Sequence, residues 1–426
     1  MSALPRIAFA HYSRAGDIGG VTTWLLRLTS NLQQQGFAVS VHLLHEDLSD
    51  PSDSSLARSL NQAGITTSCV AKQSSIVEDV GNTLNFLNNW QPTVFLPQCL
   101  PAHFIAAAIA GRKGLPWALT VHSDDPQYWS ILHVIRPPRH GGRTVCVSPY
   151  LAGEVQRLRF DNDPHIIPCG VLAPERCTIY PHDRFQVAFI GRVEEYQKRI
   201  SLVLESLIKA CVKNPRISAT IIGGGASLED CRQKVEDSSL EGAIHFTGRV
   251  DAYRVTDMLP EFQAIVLMSD FEGLPVALLE AMAHGVVPVA RLIPSGIPDV
   301  VLHEQTGLLV SDEPSEAAEA ILRLASDSQL WHHCSHGCQE MIKRKYLLSQ
   351  TTSLWRDLIN SLATQSTSTY PIKYFLLPVM ASITGKRIHS KWKSLAHPQN
   401  RARCLDTSVA MIKYRIKQVM SMAVNH

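Results

Sequence analysis

The strongest constraint on this chain is a pattern that runs along it twice: short apolar runs of strand length alternate with longer amphipathic stretches of helical period. Arg6-Ile-Ala-Phe-Ala-His-Tyr12 reads as a first strand and Gly19-Gly20 as a tight turn. Residues 21–35 then read as a helix with Trp24, Leu25, Leu28 and Leu32 on one face and Gly36 as its stop. Further strands are expected at 37–44, 93–96, 118–122 and 143–148, with helices at 56–63, 77–87 and near 150–159. Behind Pro168-Cys169-Gly170 and an irregular stretch, the alternation restarts at Phe185. Strands are expected there at 185–190, 217–222, 243–247, 264–268 and 286–290, and helices at 201–213, 227–237, 253–259 and 275–284. This alternation specifies parallel sheets covered by helices on both faces. The expected fold class is therefore α/β, with two facing doubly wound Rossmann-like domains and a cleft between them, plus a basic helical tail. The expected domains are 1–175, 176–350 and a C-terminal extension 366–426, with a crossover helix at 351–364 returning to the first domain. In such sheets ligands bind beyond the carboxyl ends of the strands, so the cleft is where chemistry belongs.

Charge narrows the partners. The chain carries 40 basic and 38 acidic residues, but residues 366–426 hold ten of the basic ones and only Asp406 among the acids. The remaining 365 residues are thus net acidic, which argues against nucleic-acid binding by the folded body. In the tail Val409, Ile412, Ile416, Val419, Met420 and Ala423 recur at helical spacing among Lys413, Arg415 and Lys417, and Tyr374-Phe-Leu-Leu-Pro-Val-Met380 adds an apolar wedge. Two placements fit this pattern: an anionic membrane surface, or packing on the second domain or another subunit. The N-terminal residues lack a basic segment followed by an apolar run, and no run approaches the roughly 18 apolar residues of a membrane span. A cytoplasmic protein is expected, peripheral on the cytoplasmic face of the membrane if the tail engages lipid. The ten cysteines follow no disulfide framework and read mostly as small buried hydrophobes. His332, His333, Cys334, His336 and Cys338 crowd together, but with no second ligand cluster to complete a tetrahedral site they read as a helix beginning near Asp327, and no metal is expected there.

The most informative segment is Ser269-Asp-Phe-Glu-Gly-Leu-Pro-Val-Ala-Leu-Leu-Glu-Ala-Met-Ala-His-Gly285. A strand delivers this loop to the carboxyl edge of the sheet, Pro275 suits a first helical turn and Gly285 a helix stop. Free N–H groups at the helix start attract anionic phosphate, while Glu272 and Glu280 can accept hydrogen bonds from sugar hydroxyls. Upstream, Phe189-Ile-Gly-Arg192 ends a strand and Lys198 follows six residues later. A guanidinium fork and a compact ammonium there can neutralise a departing diphosphate.

In these segments the sequence resembles glycosyltransferase family 4, the retaining nucleotide-sugar transferases of the two-domain GT-B fold. Two glutamates separated by seven residues, with Gly273-Leu274-Pro275 between them, carry the likeness. The resemblance implies that Glu272 binds donor-sugar hydroxyls, that Glu280 binds the ribose, and that Arg192 and Lys198 stabilise the leaving diphosphate, Arg199 being an alternative to Lys198. It extends to Ile18-Gly19-Gly20-Val-Thr-Thr, where Gly20 lets backbone approach a ligand, and to Thr120-Val-His122-Ser, which places His122 facing the donor sugar. It continues through Ile167-Pro-Cys169-Gly-Val, with Cys169 where the family usually has Asn, and Thr247-Gly-Arg-Val250, which leads into the base-binding region. Gly296-Ile-Pro-Asp-Val and Thr306-Gly-Leu-Leu-Val lie downstream, and 355–362 suits the family's terminal helix.

What the resemblance implies is transfer of a hexosyl unit from a nucleoside-diphosphate sugar to a hydroxyl of a glycan or lipid-linked acceptor, in cell-surface polysaccharide or glycolipid synthesis. No metal or other cofactor is implied. The alternatives are a binding protein of the same fold without turnover, a nucleotide-sugar epimerase, or a phosphorylase. Two other motifs are set aside. Gly223-Gly224-Gly225 has Leu228 where a dinucleotide fingerprint needs its third glycine, and Asp161-Asn-Asp163 reads as a turn.

Overall fold

In the computed structural model residues 5–14, 19–46 and 54–365 are described. The tail 366–426, with its helical pattern at 409–423 and its apolar run at 374–380, lies outside the described residues, as does Ile18.

The first unit runs β1 (Arg6–Arg14), α1 (Gly20–Gln34), β2 (Ala38–Glu46), α2 (Ser55–Gln62), β3 (Thr66–Ala71), α3 (Ile76–Trp90) and β4 (Val94–Pro97). It continues with α4 (Pro101–Arg112), β5 (Trp117–Val121), α5 (Pro126–Ile135), β6 (Gly142–Cys146), α6 (Pro149–Arg157) and β7 (His165–Ile166). All its strands are parallel, in the order β3-β2-β1-β4-β5-β6-β7. The order reverses between β1 and β4, and that switch point opens a crevice beyond their carboxyl ends. Its central strands are buried on both faces, as helices on both sides require.

The second unit runs β8 (Phe185–Ile190), α7 (Ile200–Lys213), β9 (Ile217–Ile222), α8 (Leu228–Asp237), β10 (Ile244–Gly248), α9 (Ala252–Met258) and β11 (Ala264–Leu267). After these come α10 (Val276–Ala283), β12 (Val287–Arg291), β13 (Leu308–Val310), α11 (Pro314–Ser326), α12 (Ser328–Lys345) and α13 (Leu348–Ala363). Its parallel order β10-β9-β8-β11-β12-β13 places a second switch point between β8 and β11.

Local chemistry sets the boundaries. Gly36, at φ +92°, follows α1 where a left-handed residue is needed, and the Ser148 hydroxyl accepts from Leu151 N while Pro149 opens α6. Asp327 caps α12 by accepting from Leu330 N at 2.9 Å. Pro275 proves to be the cap residue before α10 and not a residue of its first turn.

Several elements lie beyond the periodic signals. β3 is a half-buried edge strand with few apolar residues, and α4 is apolar all round because Ala102 through Ala110 are all buried between neighbouring helices, so it shows no amphipathic period. α5, β7, β13 and α11 were likewise not expected.

Two chain crossings join the units. Val171 N donates to Tyr346 O at 2.9 Å and Leu348 N to Val171 O at 2.7 Å, so the outgoing and returning connections lie side by side. From there α13 packs against α1, with Trp355 fully buried and its ring 5.8 Å from that of Trp24.

Candidate active site

The loop from β11 to α10 and the loop from β8 to α7 meet at the carboxyl edge of the second sheet. Glu272, 5% exposed, accepts a 2.5 Å hydrogen bond from Lys198 Nζ on one carboxylate oxygen and a 3.3 Å bond from Gln197 Nε2 on the other. Gln197 is held by donating also to Phe271 O at 3.0 Å, and its carbonyl accepts from Arg192 Nη2. The four side chains form one chain, Arg192–Gln197–Glu272–Lys198. Arg192 leaves more than half of its side chain exposed and pairs with Glu194 at 3.0 Å, so it is the cation on the open side.

Arg199 is drawn elsewhere. It caps α7 at φ +49° and pairs with Asp270 at 2.8 Å; the same carboxylate oxygen takes Arg291 at 2.6 Å. That bridge pins the loop from behind and commits Arg199 to it.

Glycines set how closely the two units approach. A Cβ at Gly273 would stand 2.1 Å from His122 O, and one at Gly296 would stand 2.3 Å from Gly273 O and 2.7 Å from Ser148 Cβ. Since Gly296 N donates to Gly273 O at 2.6 Å, the acidic loop is pressed against the end of β5 with no room for a side chain. Leu274, 4% exposed, anchors this loop in the apolar core, next to Pro275.

The starts of two helices converge at the same place. Gly19 caps α1, with its carbonyl accepting from Thr23 N, and a Cβ at Gly20 would touch Val276 Cβ at 3.1 Å, so the first residues of α1 and α10 adjoin. One turn into α10, Glu280 accepts from Arg27 Nη1 at 2.6 Å across the units, with both side chains nearly buried. Burial pushes the Glu280 carboxyl above the usual carboxylate range, opposed by the Arg27 guanidinium.

His122, 8% exposed, lies just past β5 with its ring edge-on to Trp24 at 4.9 Å and its Nε2 2.8 Å from Gln98 Oε1. Burial depresses its pKa to about 3, so it is neutral at physiological pH. Val250 follows β10 and is half-buried against the apolar core.

The structure thus brings Arg192, Lys198 and Glu272 into one network and sets Gly273 against His122, with Gly20 and Glu280 joined through the α1–α10 contact. Three residues escaped the sequence reading. Gln197 adjoins Lys198, and Arg27 lies seven residues after Gly20, on the same helical face; either spacing could have drawn attention. Gln98 carried no local signal.

Asp161 is a buried turn residue whose oxygens accept from Thr144 N and Asp163 N, each at 3.1 Å. Cys334 and Cys338 are fully buried, with the Cys338 thiol donating to Thr306 O. Among the described residues no group of three or more His, Cys, Asp or Glu is arranged to hold a metal ion. Gly223 and Gly225 sit where a Cβ would meet backbone of the Gly191–Val193 loop, at 1.8 Å from Gly191 O and 2.2 Å from Val193 O, while one at Gly224 would meet the Arg249 side chain at 2.8 Å. Gly223 and Gly225 thus serve close backbone packing.

Residues 18–172 match the family described as Glycosyltransferase Family 4, and residues 184–327 match Glycosyl transferases group 1. The chain belongs to glycosyltransferase family 4. Among curated relatives, the putative colanic acid biosynthesis glycosyltransferase WcaL of Escherichia coli K12 is 30% identical over 203 residues, 45% of this chain and 49% of the relative. The poly(ribitol-phosphate) alpha-N-acetylglucosaminyltransferase of Staphylococcus aureus is 27% identical over 38% of this chain and 33% of the relative. The chain thus spans half or less of the length of these relatives. Among solved structures, Anabaena Alr3699/HepE in complex with UDP-glucose superposes with a TM-score of 0.69 at 17% identity, covering 84% of this chain and all of that one. Sucrose-phosphate synthase from Thermosynechococcus elongatus gives the same score and identity over 85% of this chain. These likenesses establish the GT-B fold.

Proposed function

We propose that this family member is a retaining glycosyltransferase that moves a hexosyl unit from a nucleoside-diphosphate sugar to a hydroxyl of a glycan or lipid-linked acceptor, in the synthesis of cell-surface polysaccharide or glycolipid. The observation that carries the reading is the convergence of the α1 and α10 N-termini at Gly20 and Val276, in a cleft that also holds the Arg192–Gln197–Glu272–Lys198 network. Helix N-termini favour a diphosphate, and Arg192 and Lys198 are the cations to meet the charge it gains on leaving. Glu272 orients the sugar through its hydroxyls, and Glu280 takes the ribose, sharing or releasing Arg27. The bond from the anomeric carbon to the diphosphate oxygen breaks as the acceptor oxygen bonds to the same face, and the acceptor proton passes to the departing diphosphate. Closure of the two units keeps water from intercepting the donor. The reaction is proposed to need no resident metal.

The names of relatives that make exopolysaccharide or transfer N-acetylglucosamine support the substrate class, and a neighbour solved with UDP-glucose makes uridine nucleotides the first donors to try. Among the described residues no helix is long and apolar enough to cross a membrane. We place the enzyme on the cytoplasmic face of the membrane through its basic tail. A chain ending at Ser366 is then expected to lose sedimentation with anionic liposomes, and equal sedimentation would refute that placement.

The test of the donor site is a thermal-shift screen against UDP, GDP, ADP and their sugar conjugates, repeated with Arg192→Ala and Glu280→Ala. One nucleotide is expected to stabilise the protein, and each variant to lose the effect. Product analysis follows: free nucleoside diphosphate with the sugar on an acceptor supports transfer, whereas an altered sugar still on its nucleotide favours epimerisation. No shift with any nucleotide at millimolar concentration overturns the reading in favour of a binding protein without turnover.

A further inference from the structure

The end of β4 carries a fully buried glutamine whose bonds fix the chemistry of its neighbour. Gln98 N donates to Ala10 O at 2.8 Å, and its carbonyl accepts from Leu100 N at 2.7 Å and from His103 Nδ1 at 3.1 Å, with Cys99 turned into the left-handed region at φ +60°. The backbone is therefore immobilised and the side chain has one direction to take. Its Nε2 donates to Leu96 O at 3.3 Å, and its Oε1 lies 2.8 Å from His122 Nε2. Turning the amide over would set Oε1 against a carbonyl oxygen, so the acceptor must face His122. An acceptor at 2.8 Å demands a donor, and the proton of the neutral ring resides on Nε2.

That assignment leaves Nδ1 with a lone pair. His122 Nδ1 is buried and without a hydrogen-bond partner, and so is the hydroxyl of Ser123, the next residue in the chain. Buried polar atoms are ordinarily paired, and these two belong to consecutive residues at the strand end against which the acidic loop is pressed, so a polar ligand bound there can supply the missing partner of Nδ1. Burial keeps the ring neutral.

We infer that Gln98 is a positioning residue that holds His122 as its Nε2–H tautomer, so that Nδ1 accepts a hydrogen bond from a hydroxyl of the bound sugar and does not donate a proton. The inference rests on the donor-site reading for the identity of the hydroxyl, but the tautomer itself does not. It gives His122 a defined part: an uncharged acceptor that reads one sugar hydroxyl. A ligand lacking that hydroxyl leaves Nδ1 unpaired and is discriminated against.

The experiment is ¹⁵N NMR of protein labelled at histidine, with the His122 ring assigned through its backbone. In the wild-type chain Nε2 is expected at a protonated-nitrogen shift and Nδ1 at an unprotonated one, unchanged between pH 8 and pH 5. In Gln98→Met, which keeps the side-chain length without a strong acceptor, the two shifts are expected to converge as the Nδ1–H tautomer mixes in. Donor kcat/KM should then fall about tenfold. Gln98→Glu, protonated in this buried site so that its O–H donates to Leu96 O while its carbonyl oxygen accepts from Nε2, is expected to restore both. A wild-type ring protonated on Nδ1 overturns the inference, and so does a Gln98→Met ring with unchanged shifts. Should Gln98→Met not fold, the wild-type spectrum alone decides. Failure of the donor reading is separately visible as the expected tautomer in a protein that no nucleotide sugar perturbs.

Discussion

Lys198 and Glu272 neutralise one another almost out of contact with water, 2.5 Å apart and 15% and 7% exposed at the side chain. Lys198→Ala strands a buried carboxylate and is expected to cost about 3–5 kcal/mol of stability, a loss read from urea denaturation. Under the proposed function it is also expected to lower kcat about 10²–10³-fold, because that reading gives Lys198 the charge on the leaving group to stabilise. Adding Glu272→Gln to that variant should recover stability without recovering turnover. Recovery of both, or a single variant as active as the parent, contradicts the role given to the pair. Gly273→Ala probes the same loop by shape. The added carbon would need 2.1 Å to His122 O, backbone against backbone, so the loop must withdraw. A displacement of about 1 Å at a reacting centre costs on the order of a hundredfold, and kcat/KM should fall by that much while the fold persists by circular dichroism. Both acids, both cations and this glycine were legible because each lies in a short contiguous segment with a characteristic spacing. Gln98 was not, because its meaning depends on His122, 24 positions away, and on a tautomer that only a tertiary contact imposes.

At the scale of elements, α1 and α10 carry the coupling between the two sheets through Arg27 and Glu280. Burial already raises the Glu280 carboxyl above its unfolded value, with Arg27 pulling it back. Without Arg27 the folded carboxyl rises further. An acid whose folded pKa exceeds its unfolded one loses stability as pH rises through the interval between them, because the unfolded chain gives up its proton first. Measured against the parent protein at the same pH, Arg27→Ala is therefore expected to be destabilised most at pH 7.5 and less at pH 5, with the deficit of Arg27→Ala/Glu280→Gln nearly constant across that range. Melting temperatures at the two pH values check this, and a deficit that grows on acidification contradicts it. Element identity was readable where local periodicity and packing agree, as for β8 and β9, whose ends fall where the apolar runs end. It failed where packing erases period. The all-round burial of α4 leaves no polar face, and the edge position of β3 removes the need for an apolar one. The partnership of Arg27 with Glu280, 253 residues apart, belongs to neither helix alone.

For the molecule as a whole, ionisable burial is uneven. His11 on β1, His42 on β2, His103 on α4 and His122 beyond β5 all lie in the first unit, each essentially sealed from water. Burial depresses His11, His42 and His122 to about 3 and His103 to about 4. One nitrogen of each ring has no hydrogen-bond partner, and an imidazolium there would need one. The unfolded chain binds these protons near pH 6.5 and the folded chain does not, so stability is fully present above pH 6.5 and drains as pH falls toward 3–4. Four groups acting together give a slope several times that of one, up to roughly 1.4 kcal/mol per group for each pH unit. The first unit should accordingly unfold before the second on acidification. Because α13 closes over α1 through Trp355 and Trp24, its docking should fail with the first unit. Hydrogen exchange across a pH series is the measurement. Protection is expected to vanish from β1, β2, β4, β5 and α13 between pH 6 and 4 while β8, β9 and β11 keep theirs. Loss in the second sheet first, or no loss above pH 4, would show that the buried imidazoles do not govern acid stability. His11→Gln and His42→Gln, which carry no titrating proton, are expected to move the transition to lower pH.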